Sequence, residues 1–320
     1  MQRQTPVGAL ASADGGREKT AGLTPRKGKA HGPAYRFATH TLAKAAAMST
    51  PHTILMHMDE TARMGERILF ARLLAESLDA NILCRPCSIP GLMPYPLAFG
   101  ASAPAVQAMR AAQEASRDKL YRLFTEYGGG SPRLHWIEPD SAVPWDFARH
   151  AFYADLMLLG QRDRHDPMDP LLPADFLPSL LMQSGRPAVV FPYAGKAEPI
   201  GRTVLVAWNE SRESARALSA ALPWLRTAAS VHAVVYGGDV QQPLERLRAF
   251  LHAHGVADPH LHAGGRDEDV GNQLLSLAAD LGADLLVMGC YGHSRAREWV
   301  LGGATRTVLD SMTLPVLLSH

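Results

Sequence analysis

The chain has 320 residues, 47% hydrophobic and 20% charged, with a formal net charge of +1. That is the composition of an ordinary globular protein, with room for one large domain or two of usual size. No run approaches the roughly 18 apolar residues of a membrane helix, so no membrane partner is expected.

Residues 1–47 hold eight Lys/Arg against two Asp/Glu, so the remainder of the chain is mildly acidic. A mildly acidic body lacks the basic field of a nucleic-acid binder, and no nucleic acid is expected as partner. Residues 1–47 show no sustained periodicity and read as a disordered basic leader. They fit a targeting segment or an over-long start. The second is the reading adopted, because Met48 is followed almost at once by the first strand. There is no apolar segment of signal-peptide type. Three cysteines (Cys84, Cys87 and Cys290) make no disulfide framework in a chain of this length. Both features predict a reducing, cytoplasmic location.

From Thr53 the chain alternates strand and helix. Thr53–Met58 is an apolar run of buried-strand length. Residues 61–78 place Leu69, Leu73 and Leu74 on a helical face, and strands follow at Asn81–Cys84, Asp155–Leu159 and Ala188–Phe191. The second half repeats these blocks in order. Thr203–Trp208 echoes Thr53 at an offset of 150, Asp284–Gly289 echoes Asp155–Gly160 at 129, and Leu314–Leu318 echoes Arg186–Val190 at 128. Three blocks in one order indicate an internal duplication. The falling offset assigns about 21 extra residues to the first half, expected within the Pro-rich Arg85–Pro104. The predicted domains are 48–197 and 198–320, with Gly195–Gly201 as linker.

In the second half, Ala215, Leu218, Leu222 and Leu225 mark a helix that Pro223 should kink or stop. Val231–Val235, a helix over Gln241–His254, His260–His262 and a helix over 270–281 with Gly282 as its C′ residue come next. Strand Asp284–Met288, a helix near Ala304–Ser311 and a last strand complete the pattern. Strands alternating with helices predict a parallel sheet covered on both faces.

Ligands of such sheets bind outside the carboxyl ends of the strands, where the winding reverses. Gly289 and Gly292 follow the fourth strand directly, and Gly302-Gly303 opens the last helix. Glycine permits positive φ and close backbone approach, and a helix N-terminus offers unpaired N–H donors to an anion. Spacing alone leaves a plain tight turn as the alternative.

The stretch Asp284–Pro315 resembles the universal stress protein family, whose ATP-binding members carry G-x2-G-x9-G-[ST] after strand four. Gly289, Gly292 and Gly302 match that spacing, and Gly292-His293-Ser294 matches the family's G-H-S. The resemblance covers residues 202–320 well and 53–192 more loosely. It implies two similar α/β domains, each a doubly wound five-stranded parallel sheet of order 3-2-1-4-5 with helices on both faces (adenine nucleotide α-hydrolase-like). It also implies an adenine nucleotide, ATP or AMP with Mg as a candidate companion, at Ala207, Asn209, Val235, Met288, Gly289, Gly292, His293, Gly302, Gly303, Ala304 and Thr305. The two domains are expected to pair within the chain, and a homodimer is left open.

Two positions depart from the family pattern. Gly303 stands at the Ser/Thr position, with Thr305 two residues on as a substitute hydroxyl, and Asn209 stands at the acidic position after strand one. In the first half Gly160 is followed by Gln161-Arg162-Asp163, and Pro167, Pro170, Pro173 and Pro178 crowd the loop. Proline donates no N–H, so this half is expected not to bind nucleotide and to stand in for a second subunit.

Weaker signals favour plain readings. Cys84-x-x-Cys87 lacks the helix start of a redox motif. His252, His254, His260 and His262 read as surface histidines, since a zinc site needs a fuller ligand set. Arg295, Arg297 and Arg306 flank the glycine loop as phosphate partners or as a solvated face. No hydrolase, P-loop or zincin motif is present, so no catalysis is assigned beyond, at most, very slow ATP hydrolysis. The expected function is a stress-response regulatory protein binding an adenine nucleotide. The alternative is a non-nucleotide interaction protein of the same fold.

Overall fold

The computed structural model describes residues 50–87, 103–138, 144–168, 174–238, 240–265, 269–292 and 303–320. The expected leader and most of the Pro-rich stretch lie outside them.

Ten strands form one sheet. In the first half these are β1 (Thr53–Met58), β2 (Asn81–Pro86), β3 (Leu134–Trp136), β4 (Leu156–Gly160) and β5 (Ala188–Phe191). In the second they are β6 (Thr203–Trp208), β7 (Ser230–Tyr236), β8 (His260–Gly264), β9 (Leu285–Gly289) and β10 (Val316–Ser319). The order across the sheet is β3-β2-β1-β4-β5-β10-β9-β6-β7-β8. Each half therefore has the 3-2-1-4-5 winding, all parallel inside. The halves meet along the antiparallel pair β5–β10, with Val316 opposite Val190 and Leu318 opposite Ala188.

The eight helices described are α1 (Met64–Leu78), α2 (Ala103–Gly128), α3 (Pro144–Ala151), α4 (Phe176–Ser184), α5 (Arg212–Leu225), α6 (Gln241–Ala253), α7 (Val270–Asp280) and α8 (Ala304–Ser311). Residues of α1, α2, α5 and α6 pack on one face of the sheet. Those of α3, α4, α7 and α8 pack on the other. Strands covered on both sides read as continuous apolar runs, and every residue of β5 and β10 is buried. Burying each such Val or Leu contributes about 1.5–3 kcal/mol, which joins the halves into one core. Gln161 seals the junction from within. It is buried, donates from Nε2 to the Leu309 carbonyl at 3.0 Å, and accepts the Tyr193 amide at Oε1 at 2.9 Å.

The two halves share a capping device. The Asp155 carboxylate accepts the amides of His52 and Thr53, both at 3.0 Å. The Asp284 carboxylate accepts those of Gly201, Arg202 and Thr203 at 2.7–3.1 Å. In each half the residue before the fourth strand thus fixes the start of the first.

Three local expectations change. Helix α5 runs through Pro223 to Leu225, so the early stop does not occur. Its buried face includes Ser214, Ala217 and Ala221, while Ala215 is exposed. The extra length of the first half is shared with a helix, since α2 has 26 residues and its counterpart α6 has 13. Gly282 has φ of 60° just after α7, the expected left-handed C′ position.

Candidate functional site

The winding of the second half reverses between β6 and β9, which are neighbours in the sheet. Their carboxyl ends place Ala207 beside Met288 in register. Both are apolar, with Met288 buried and Ala207 half-buried. Val235 ends the buried part of β7 and pairs with Trp208. Ala207 and Met288 lie on the face of the sheet covered by α7 and α8, whereas Val235, alternating with Val234, lies on the opposite face.

Gly289 and Gly292 are there for close approach, not for a left-handed backbone. A Cβ at Gly289 would lie 2.5 Å from the Ser214 amide nitrogen, so the first turn of α5 packs backbone to backbone on the end of β9. Among the described residues of this loop, Tyr291 has positive φ, at 54°. Not all loop amides face outward, because Cys290 N–H donates to the Ser319 carbonyl at 2.9 Å. Gly303 caps α8 without a side-chain hydrogen bond. The amides of Ala304 and Thr305 open that helix, with the Thr305 side chain buried. His293 and Gly302 lie outside the described residues, as do Arg295 and Arg297. Arg306 is exposed on α8, within 3.6 Å of Asp310.

Asn209 closes the turn after β6. Its Oδ1 accepts Ser211 N–H at 3.3 Å and Ser211 Oγ–H at 2.7 Å. Ser211 in turn caps α5 in a reciprocal capping box with Ser214.

One residue of the site was not singled out from the sequence. Glu213, in the first turn of α5, is 3% exposed, and a Cβ at Gly292 would lie 2.9 Å from its Oε2. Burial pushes this carboxyl up. Its own backbone N–H, Arg212, Ser211 and His320 outweigh that and hold it below the ordinary carboxylate value. The signal available was periodicity, since Glu213, Ala217, Ala221 and Trp224 share the buried face of the helix.

The first half is built differently at the matching place. Asp59 occupies the position equivalent to Asn209 and makes the same turn, its Oδ1 accepting Thr61 N–H at 3.1 Å. Its Oδ2 receives Arg67 Nη1 at 2.7 Å, with His57 Nδ1 at 3.4 Å. All three side chains are buried. The Arg67 guanidinium lies over Gly160, in the space a Cβ there would enter. His57 Nε2 bonds the Cys87 carbonyl at 2.8 Å, and the ring packs against Phe147 and Phe176. Burial opposes ionisation of Asp59, yet Arg67, His57 and Thr61 hold its carboxyl well below the usual range. Side chains fill this crevice.

The remaining signals resolve simply. Cys84 is buried in β2, where burial pushes its thiol up to about 12, far from a reactive thiolate. His232 joins His260 and His262 on one face of β7 and β8 as a stack, its Nδ1 3.0 Å from His262 Nε2. Among the described residues no three His, Cys, Asp or Glu are grouped to hold a metal ion. Among them, too, no helix is long and apolar enough to cross a membrane.

A doubly wound parallel sheet with a crevice at its switch point defines the class, an α/β fold of the adenine nucleotide α-hydrolase-like type. Residues 238–320 match the model of the universal stress protein family. That segment is similar to the family, and it includes the strand and glycines of the switch point. The fold is similar along most of the chain to a universal stress protein from Archaeoglobus fulgidus DSM 4304. That match has a TM-score of 0.65 at 14% identity, over 85% of this chain and 96% of the other. A putative universal stress protein from Pseudomonas aeruginosa UCBPP-PA14 matches with a TM-score of 0.54 at 18% identity, over 85% and 94% of the two chains. A functionally unknown protein from Pseudomonas aeruginosa PAO1 matches with a TM-score of 0.53 at 20% identity, over the same shares. At these identities the likeness is one of fold. No curated protein sequence matches the chain.

Proposed function

We propose that the protein is a tandem universal stress protein acting as a cytoplasmic stress-response regulator, and that it binds an adenine nucleotide in the crevice of its second half. The observation that carries this reading is the position of Gly289 and Gly292. They stand at the topological switch point, inside the segment that matches the family. Ala207 and Met288 supply an apolar surface for a base. The loop amides and the N-terminus of α8 supply donors for phosphate. The first half, its crevice taken by Arg67, serves as the packing partner.

A second reading is favoured by Glu213. A buried carboxylate against Gly292, with the Cys290 amide already engaged, suits an interaction protein whose glycine loop no longer takes a ligand.

Mass spectrometry of small molecules released from gently purified protein separates the two. The nucleotide reading expects stoichiometric AMP, ADP or ATP. Gly292→Val should abolish binding in titration calorimetry with the fold retained, since the atom its side chain meets is the movable end of Glu213. Equal affinity in both proteins, or no bound nucleotide in either, would sink the proposal.

A further inference from the structure

We propose that Ser230, His232 and His262 form a nucleophile–base relay on the second half, which gives the Ser230 hydroxyl esterase-type reactivity towards small, activated carboxylic esters. The site is separate from the nucleotide crevice. Ser230 opens β7, whereas the glycines follow the opposite, carboxyl end of β9 in the same parallel half.

The warrant is an unbroken hydrogen-bond chain. Ser230 Oγ lies 2.8 Å from His232 Nε2, and His232 Nδ1 lies 3.0 Å from His262 Nε2. A hydroxyl is a weak nucleophile until a base within such reach takes its proton, and the base works best when a third group fixes its ring. Strand geometry brings the three together. Alternation puts Ser230, His232 and Val234 on the sheet face that carries α7 and α8, and the register of β7 with β8 puts His260 and His262 there too. In the productive tautomer Ser230 Oγ–H donates to Nε2, and Nδ1–H donates to His262. His260 stacks on the His232 ring at 4.8 Å between centroids. Across the face, Asp280 of α7 lines the same groove as His262. Burial, then His260 and His262, hold His232 below its ordinary 6.5, so the ring is an unprotonated base at neutral pH. Ser230, His232 and His262 are each partly exposed, so an ester can reach the hydroxyl.

The reaction is acyl transfer. Oγ bonds to the ester carbonyl carbon as its proton passes to His232 Nε2. The bond from that carbon to the leaving alcohol then breaks, and Nε2 returns the proton to the alcohol. Water enters by the same path, which releases the acid and restores the hydroxyl. Ser230 and His232 are the catalytic residues, and His262 is a positioning residue. The backbone limits the substrate. The Ala229 and Ser230 amides both donate to the Arg202 carbonyl, at 2.9 and 3.0 Å, so neither is free to hold an oxyanion. The substrate therefore has to carry a good leaving group, which excludes amides and peptides.

The test treats the full chain with p-nitrophenyl acetate and, separately, with a fluorophosphonate, read by nitrophenolate release, intact mass and peptide mapping. One adduct on Ser230 is expected, at a rate that falls as pH drops through the His232 titration and is level above it. Ser230→Ala should abolish that adduct and lower nitrophenolate release. His232→Phe should slow labelling about 100-fold, the lower end for a positioned base. His262→Phe should slow it too, whereas His262→Gln should recover part of the rate, because its amide oxygen can accept from Nδ1. Adducts scattered over other residues, a flat pH profile, or release equal in wild type and S230A overturns the inference. If the histidine variants melt early, the wild-type pH profile and S230A decide alone.

Discussion

Arg67 covers Gly160 in the first half, with its guanidinium pressed on the Cα at the end of β4. At the matching Gly289 the backbone of α5 comes down instead, with Ser214 N and Glu213 C nearest and Glu213 Cβ beside them. One glycine makes room for an arginine and the other for a helix.

Gly160→Ala therefore drives a methyl group into a guanidinium held by Asp59 at 2.7 Å. Overpacking of a fixed group costs typically about 1–3 kcal/mol, and urea unfolding should show a loss in this range. Gly292→Ala meets only the carboxylate end of Glu213 and should cost less. The reverse order would mean that Arg67 yields easily.

Asp59→Asn should be more severe. It leaves buried Arg67 without its counter-charge, and breaking such a pair costs about 3–5 kcal/mol. The folded carboxyl is held below its ordinary 3.8, so its stabilisation is complete above that value and fades as pH falls through and below it. The gap between wild type and D59N, followed by denaturation from pH 7 to 3, should shrink only at the acid end.

The histidine stack carries a dependence of the same sign at higher pH. Burial, then His260 and His262, lower the His232 pKa below 6.5, and burial with His260 lowers that of His262. Histidines that fold in the neutral form stabilise fully above their unfolded value, and the stabilisation is lost as pH falls below it. His232→Gln should therefore reduce the drop in Tm between pH 7.5 and 5.5. An unchanged drop would place the acid sensitivity elsewhere.

Asp284→Ala removes the acceptor for three amides and Asp155→Ala the acceptor for two. Hydrogen bonds to a charged acceptor contribute about 1.5–3 kcal/mol when buried and less when exposed. Both variants should lose stability, D284A more than D155A, in the same chemical denaturation assay.

The strands were legible because central parallel strands are apolar on both faces. β1, β5 and β6 begin and end where their runs do, and the repeat at offsets of 150 and 129 gave the doubling. Helix α2 carried a weaker signal, alanine supplying most of the apolar residues of its first half, so its extra turns were assigned to the Pro-rich stretch before it. The switch-point position of Ala207, Met288 and Gly289 was readable from strand ends and glycine spacing. What Gly289 faces was not, since the approach of Ser214 is made by tertiary packing. Nor could spacing show that Tyr291 takes the left-handed turn, or that Arg67 reaches Asp59 across eight residues. Glu213 was hidden by its charge, which marks a residue as exposed until a helical face is drawn through it.

The antiparallel seam of β5 and β10 rotates one copy of the winding by a half-turn against the other. The rim bearing Asp59 and Arg67 thus points away from the rim bearing Gly289 and Glu213. Evolution can fill one mouth with salt-bridged side chains and leave the shape of the other untouched.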